Sequence, residues 1–151
     1  MRLDELLRAL PPATRAKLPK PLQNFKVATR SWLMQIYYDD PLVHYEVVTL
    51  GVKRGELEIG LHFESRNATT NEQLLNGFMQ HLFEIKAELG EGFEAEMWDR
   101  GWTKVYETFP METFNEAYVD RVAARLAQVI VVLQPILDEV MKTQGKLRTQ
   151  K

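Results

Sequence analysis

The chain contains no cysteine. That excludes disulfide frameworks, thiolate metal sites and cysteine nucleophiles, and it fits a reducing compartment. Long apolar runs are also missing. The most apolar stretch, Val129-Ile130-Val131-Val132-Leu133, is far too short to span a bilayer, and the N-terminus carries Asp4 and Glu5 inside its only apolar segment, unlike a secretory leader. These features are expected of a cytoplasmic protein with no membrane association, and the Asn67-Ala68-Thr69 sequon is then read as chance. Recognisable catalytic motifs are lacking too. There is no phosphate loop, dinucleotide fingerprint or HExxH pair, and no serine occupies a G-x-S-x-G elbow. No acid-x-lysine step of the metal-dependent nuclease type follows Asp39-Asp40 and Glu46. No catalytic residue and no cofactor is therefore assigned from motifs.

A near-zero net charge of −2 conceals segregation. Residues 1–30 hold seven basic side chains against Asp4 and Glu5, and the last ten hold Lys142, Lys146, Arg148 and Lys151 with no acid, so the body between them is strongly acidic. The first reading is that the basic ends solubilise the chain or lie against its acidic body. Nucleic-acid binding through the basic ends is the lesser one, because no aromatics interleave with them as a single-strand binder requires.

What is present is a unit that occurs twice: a β-hairpin turning at a basic-glycine step, then an amphipathic helix. The first hairpin turns at Lys53-Arg54-Gly55 and the second at Asp99-Arg100-Gly101. The following helices are expected to open at capping boxes, Thr69 with Glu72 and Thr113 with Glu116, and Gly90 is placed to stop the first of them. The last, from about residue 114 to 142, would span roughly 43 Å against a domain diameter of about 38 Å, so it overhangs the domain or bends at Pro135. It is apolar on nearly every side from Val129 to Leu137, as a helix buried all round would be, including against a second copy. Ahead of the hairpins, a helix over Leu3 to Leu10 ends at Pro11-Pro12, and Leu22, Phe25, Thr29, Trp32, Leu33 and Ile36 recur at helical spacing.

The fold class is accordingly α+β: two hairpin–helix units making a four-stranded, mainly antiparallel sheet with helices on one face. Residues 1–40 form an N-terminal helical arm packed on the core, 41–142 the core, and 143–151 a flexible basic tail.

Two sets of side chains are candidates for function. In the second hairpin, a three-residue loop sets Trp98 opposite Trp102, Glu96 opposite Lys104 and Glu94 opposite Tyr106. Trp98, Trp102, Tyr106, Lys104, Glu94 and Glu96 would then form an aromatic face rimmed by charge, which suits structural cover, a dimer contact or a partner surface. In the first hairpin the register decides. Pairing Val52 with Leu57 gathers Val48, Leu50, Val52, Leu57, Ile59, Leu61 and Phe63 on one buried face and is favoured by burial. Pairing Val52 with Glu56 instead sets Glu46 opposite His62 and His44 opposite Glu64. Those four are a ligand set for zinc, manganese or iron, or an acid–base pair. The primary expectation is an interaction module, a homodimer with a possible protein partner. The alternative is a small metal-dependent hydrolase or nuclease-accessory domain built on His44, Glu46, His62 and Glu64. His81 is read as a helix-surface residue.

Overall fold

The computed structural model describes residues 1–149, with side chains up to Gln144. It is an α+β fold with four helices and one antiparallel sheet. The elements are α1 (Leu3–Lys17), a 3-10 turn (Lys20–Leu22), β1 (Lys26–Thr29), β2 (Leu33–Tyr37), β3 (Val43–Thr49), β4 (Glu56–Phe63), α2 (Ala68–Met79), α3 (Leu82–Leu89), β5 (Glu94–Met97), β6 (Thr103–Pro110) and α4 (Glu116–Thr149). The strand order is β1-β2-β3-β4-β6-β5, antiparallel at every step. Among the described residues no helix is long and apolar enough to cross a membrane.

The sheet has six strands rather than the expected four, because residues 22–36 do not form a helix. Arg30 N–H donates to Leu33 O at 2.8 Å across Ser31-Trp32, and β1 and β2 form a hairpin around that step. In β2 the buried Met34 and Ile36 alternate with half-buried Leu33, Gln35 and Tyr37, which is period two. The apolar positions satisfied both periods, and pairing with β3 selected the strand. The N-terminal arm also differs upstream. Helix α1 runs through Pro11 and Pro12 to Lys17 instead of stopping at Leu10. An internal proline costs about 3 kcal/mol. Against this, Leu6, Leu7 and Leu10 are fully buried, each contributing about 1.5–3 kcal/mol, and α1 packs on α4.

Both later helices are present, capped by asparagine rather than by the expected threonines. Asn67 accepts from the backbone of Thr69 and Thr70, and Asn115 Oδ1 accepts from Tyr118 N–H at 2.8 Å. The sequon asparagine is thus a helix cap. The expected single middle helix is broken between Met79 and Leu82, with α3 stopping at Gly90 as anticipated (φ 109°). Helix α4 is longer than expected, 34 residues or about 51 Å, with Pro135 inside it. It is not buried all round, since Val131 is 43% exposed beside fully buried Val129, Ile130 and Leu133. Its helical backbone takes in most of the expected basic tail. Gln150 and Lys151 lie outside the described residues, as do the side chains beyond Gln144.

The register and alternation define two faces. One carries Met34, Ile36, Tyr45, Val47, Leu57, Ile59, Leu61, Phe63 and Val105, all essentially inaccessible, and packs under the helices to form the core. Two polar groups on this face are satisfied by helices: Glu107 pairs with Arg125 of α4, and Thr103 Oγ1 donates to Asn71 O of α2. The other face, away from the helices, is where every candidate residue lies.

Candidate metal centre

The second hairpin is paired as expected. Glu94 stands opposite Tyr106, Glu96 opposite Lys104, and Trp98 N–H donates to Trp102 O at 2.9 Å. The turn residues Arg100 and Gly101 take positive φ (53° and 77°). On the opposite face of this hairpin Phe93, Thr103 and Val105 are buried, whereas Met97 is exposed.

The first hairpin follows neither register considered. His44 stands opposite His62 and Glu46 opposite Gly60. The favoured pairing of Val52 with Leu57 fails because Val52 is not in the strand. Gly51 and Gly55, both at positive φ, close a longer loop through Gly55 N–H to Gly51 O, and Val52 projects from it 89% exposed. The realised pairing has the side-chain parity of the alternative, so His44, Glu46, His62 and Glu64 do share a face, together with Val48 and Glu58.

These residues are buried although they lie away from the helices. His44, Glu46, Glu58 and His62 are 1–6% exposed, and Glu64 is half-buried. One ligand atom from each of His44, Glu46, His62 and Glu64 can be chosen so that all lie within 4.8 Å of one another. His44 Nε2 is 3.2 Å from Glu46 Oε1 and 3.7 Å from Glu64 Oε2, while His62 Nδ1 is 3.0 Å from Glu64 Oε2 and 3.7 Å from Glu46 Oε2.

The remaining nitrogen of each ring is committed outward. His44 Nδ1 lies 2.8 Å from Pro41 O, and a carbonyl only accepts, so this nitrogen carries the proton. His62 Nε2 lies 2.8 Å from Glu58 Oε2 and donates to it in the same way. Both rings therefore turn their inner nitrogen toward the same two carboxylates. Glu46 Oε1 also accepts from Gln35 Nε2 at 3.0 Å, and Glu58 Oε1 from Lys104 Nζ at 2.6 Å. This outer ring of hydrogen bonds is the arrangement that fixes tautomer and ring orientation around metal-ligating histidines.

Electrostatics follow from the geometry. Burial opposes charge on Glu46 and Glu58, yet His44, His62, Gln35 and Lys104 outweigh it and hold both carboxyls below their usual range. Burial also opposes protonation of His62, but bonds to Glu58 and Glu64 and the charge of Glu46 prevail, raising it to about 9. Three carboxylates thus converge on Lys104 and on a His62 that is protonated at neutral pH in the metal-free protein.

The two candidate sets prove to be one surface. A cross-strand row runs Gln35, Glu46, Gly60, Tyr106, Glu94, and the next runs His44, His62, Lys104, Glu96. Gly60 is required at the centre, since a Cβ there would lie 2.6 Å from Tyr106 Cβ and 2.8 Å from Val105 O. Trp98 and His62 meet in a T-shaped pair (centroids 5.7 Å), Trp98 leans on Trp102 (5.5 Å), and Lys104 Nζ lies over both Tyr106 and Trp98. Gln35, Glu58 and the Pro41 carbonyl were missed in sequence. Gln35 lies in a segment whose spacing reads as helix, and pairing Val52 with Leu57 would keep Glu58 on the face away from His44 and Glu46. His81 occupies the N-cap position of α3, and its ring bonds Glu84. A cavity of about 290 Å³ lined by Gln73, Asn76, His81 and Glu139 lies between α2 and α4, on the opposite side of the sheet. In the basic N-terminal segment, Lys17 pairs with Asp120, Arg8 with Asp4, and Arg15 donates to the carbonyls of Gln23 and Phe25.

None of the protein-family models, characterised proteins or solved structures compared with this chain matches it.

Proposed function

We propose that this protein binds one divalent transition-metal ion through His44 Nε2, His62 Nδ1 and the carboxylates of Glu46 and Glu64. The observation that carries the reading is the direction of the two imidazoles. Each gives its outer N–H to an acceptor, Pro41 O or Glu58, and turns the inner nitrogen toward the same pair of carboxylates. Ligands about 2.0–2.1 Å from a tetrahedral ion stand about 3.3 Å apart. The nitrogen–oxygen separations of 3.0–3.7 Å bracket that value. Charge favours the same conclusion, because a dication balances the two inner carboxylates while Lys104 balances Glu58.

Two imidazoles and two carboxylates suit zinc first, then iron or manganese. Four protein donors fill a tetrahedral shell, so the ion ties β3 to β4 or is held as cargo, and hydrolysis would require the more exposed Glu64 to yield its place to water. The deciding experiment is calorimetric titration of chelator-stripped protein with zinc, paired with the His44→Ala/His62→Ala double variant. One ion per chain, lost in the variant, is the expected result. Absent heat with the native chain, under zinc, manganese and ferrous iron alike, would end the reading.

A second reading, a partner surface on the aromatic face, is favoured by one observation: Trp98 is 42% exposed immediately beside the cluster. Loss of a captured partner on Trp98→Ala with Trp102→Ala, at unchanged helix content, is its expected signature. Unaltered partner recovery would count against it.

A further inference from the structure

The two outer strands of the sheet are complementary to each other, and they belong to opposite ends of the same molecule. We propose that a second copy of this chain docks its β5 edge onto the β1 edge of the first, extending the sheet head to tail.

Three independent features agree. The first is direction. Six strands, each antiparallel to its neighbour, leave β1 and β5 running opposite ways, so a copy displaced along the sheet without being turned over offers β5 antiparallel to β1.

The second is backbone register. Arg30 N–H donates inward to Leu33 O, and antiparallel alternation then commits Lys26 and Ala28 to β2 while Val27 and Thr29 direct N–H and C=O outward. Trp98 N–H donates inward to Trp102 O, which commits Glu94 and Glu96 to β6 and leaves Ala95 and Met97 directed outward. Setting Val27 opposite Met97 also sets Thr29 opposite Ala95. This register gives all four outward-directed residues a hydrogen-bonding partner; a shift by two residues either way leaves one on each strand without.

The third is side chains. In this register the helix-side face brings exposed Val27 (39%) against exposed Met97 (53%). On the other face Arg30 meets Glu94, and Lys26 lies opposite Trp98 and diagonal to Glu96. Every residue of β1 is exposed, and Glu94 is held within its own chain by a 3.5 Å contact to Lys86. Pairing like edges is disfavoured: two β1 strands set Lys26 against Arg30, and two β5 strands set Glu96 against itself. The contact is therefore heterologous, and such contacts build rings or open arrays rather than closed dimers.

The test is weight-average mass by light scattering and sedimentation, from micromolar to millimolar concentration at low salt. The native chain is expected to rise past twice its 17.6 kDa mass, and added salt to reverse the rise. Arg30→Glu and Glu94→Arg should each stay monomeric alone, while an equimolar mixture, in which the exchanged charges again oppose, should regain association. Val27→Pro removes an outward N–H that the monomer does not use, and should abolish association with circular dichroism unchanged. A native mass that stays monomeric, a plateau at the dimer, or association surviving both charge reversals would each overturn the proposal.

Discussion

His44 and His62 face each other across β3 and β4 with rings 5.7 Å apart and 24° from parallel, each hydrogen-bonded on its outer side. The pair is held apart from direct bonding and open toward Glu46 and Glu64. From this relationship the behaviour of the cluster under titration and mutation can be anticipated.

Metal should stabilise the fold measurably. At a free zinc concentration one hundred times Kd the native state gains about 2.7 kcal/mol. For a domain of this size that raises Tm by about 5–11 °C. Trp98, in T-shaped contact with His62, should change its fluorescence over the same titration. A calorimetric scan with and without zinc checks the first, and a Tm unmoved by saturating zinc would contradict it.

Glu58 positions His62 without contacting the ion. Glu58→Gln retains the shape and should weaken zinc affinity about 10–100-fold at unchanged stoichiometry. Isothermal titration separates this from His62→Ala, which should remove the site.

Lys104 tests the charge arrangement in the absence of metal. Lys104→Met removes one of the two groups bonded to the buried Glu58 carboxylate, leaving His62, and should cost about 1.5–3 kcal/mol of stability. Adding Glu58→Gln to it should recover a large part of the loss. Urea midpoints of the two single variants and the double variant give the coupling; simple additivity would mean the pair is not energetically linked.

Gly60→Ala should destabilise by about 1–3 kcal/mol, because the added methyl meets Tyr106 Cβ at 2.6 Å and the Val105 carbonyl at 2.8 Å, and neither is a flexible side-chain end. The expected signature is a lower urea midpoint at unchanged m.

The caps distinguish structure from sequence expectation directly. Asn67→Ala and Asn115→Ala should each cost about 1 kcal/mol, and Thr69→Ala and Thr113→Ala much less. Thermal melts of the four single variants decide it. Equal losses at the threonines would restore the capping boxes.

Much of the second hairpin was legible because its turn is short and chemically explicit. Asp99-Arg100-Gly101 leaves one way to close, and the pairing of Glu94 with Tyr106 follows from it. The first hairpin was not, because Gly51 lies far enough from Gly55 to close a longer loop, and local sequence does not weigh loop length against the burial of Val52. The segment from Leu22 to Ile36 failed differently. Its apolar residues fit a helix as well as a hairpin, and what selected the hairpin was β3, already offering an edge to β2.

Which side chains travel together follows from the order of residues alone. Alternation places His44 with Glu46, and His62 with Glu64, on one side of the chain whatever the fold does next. That those two sides meet is a property of the folded sheet. Side chains in a strand alternate with period two, so a slip of one residue between β3 and β4 would have turned one pair toward the helices. The loop closed by Gly51 and Gly55, together with the apolar face that had to reach the helices, selected the parity that gathers all four.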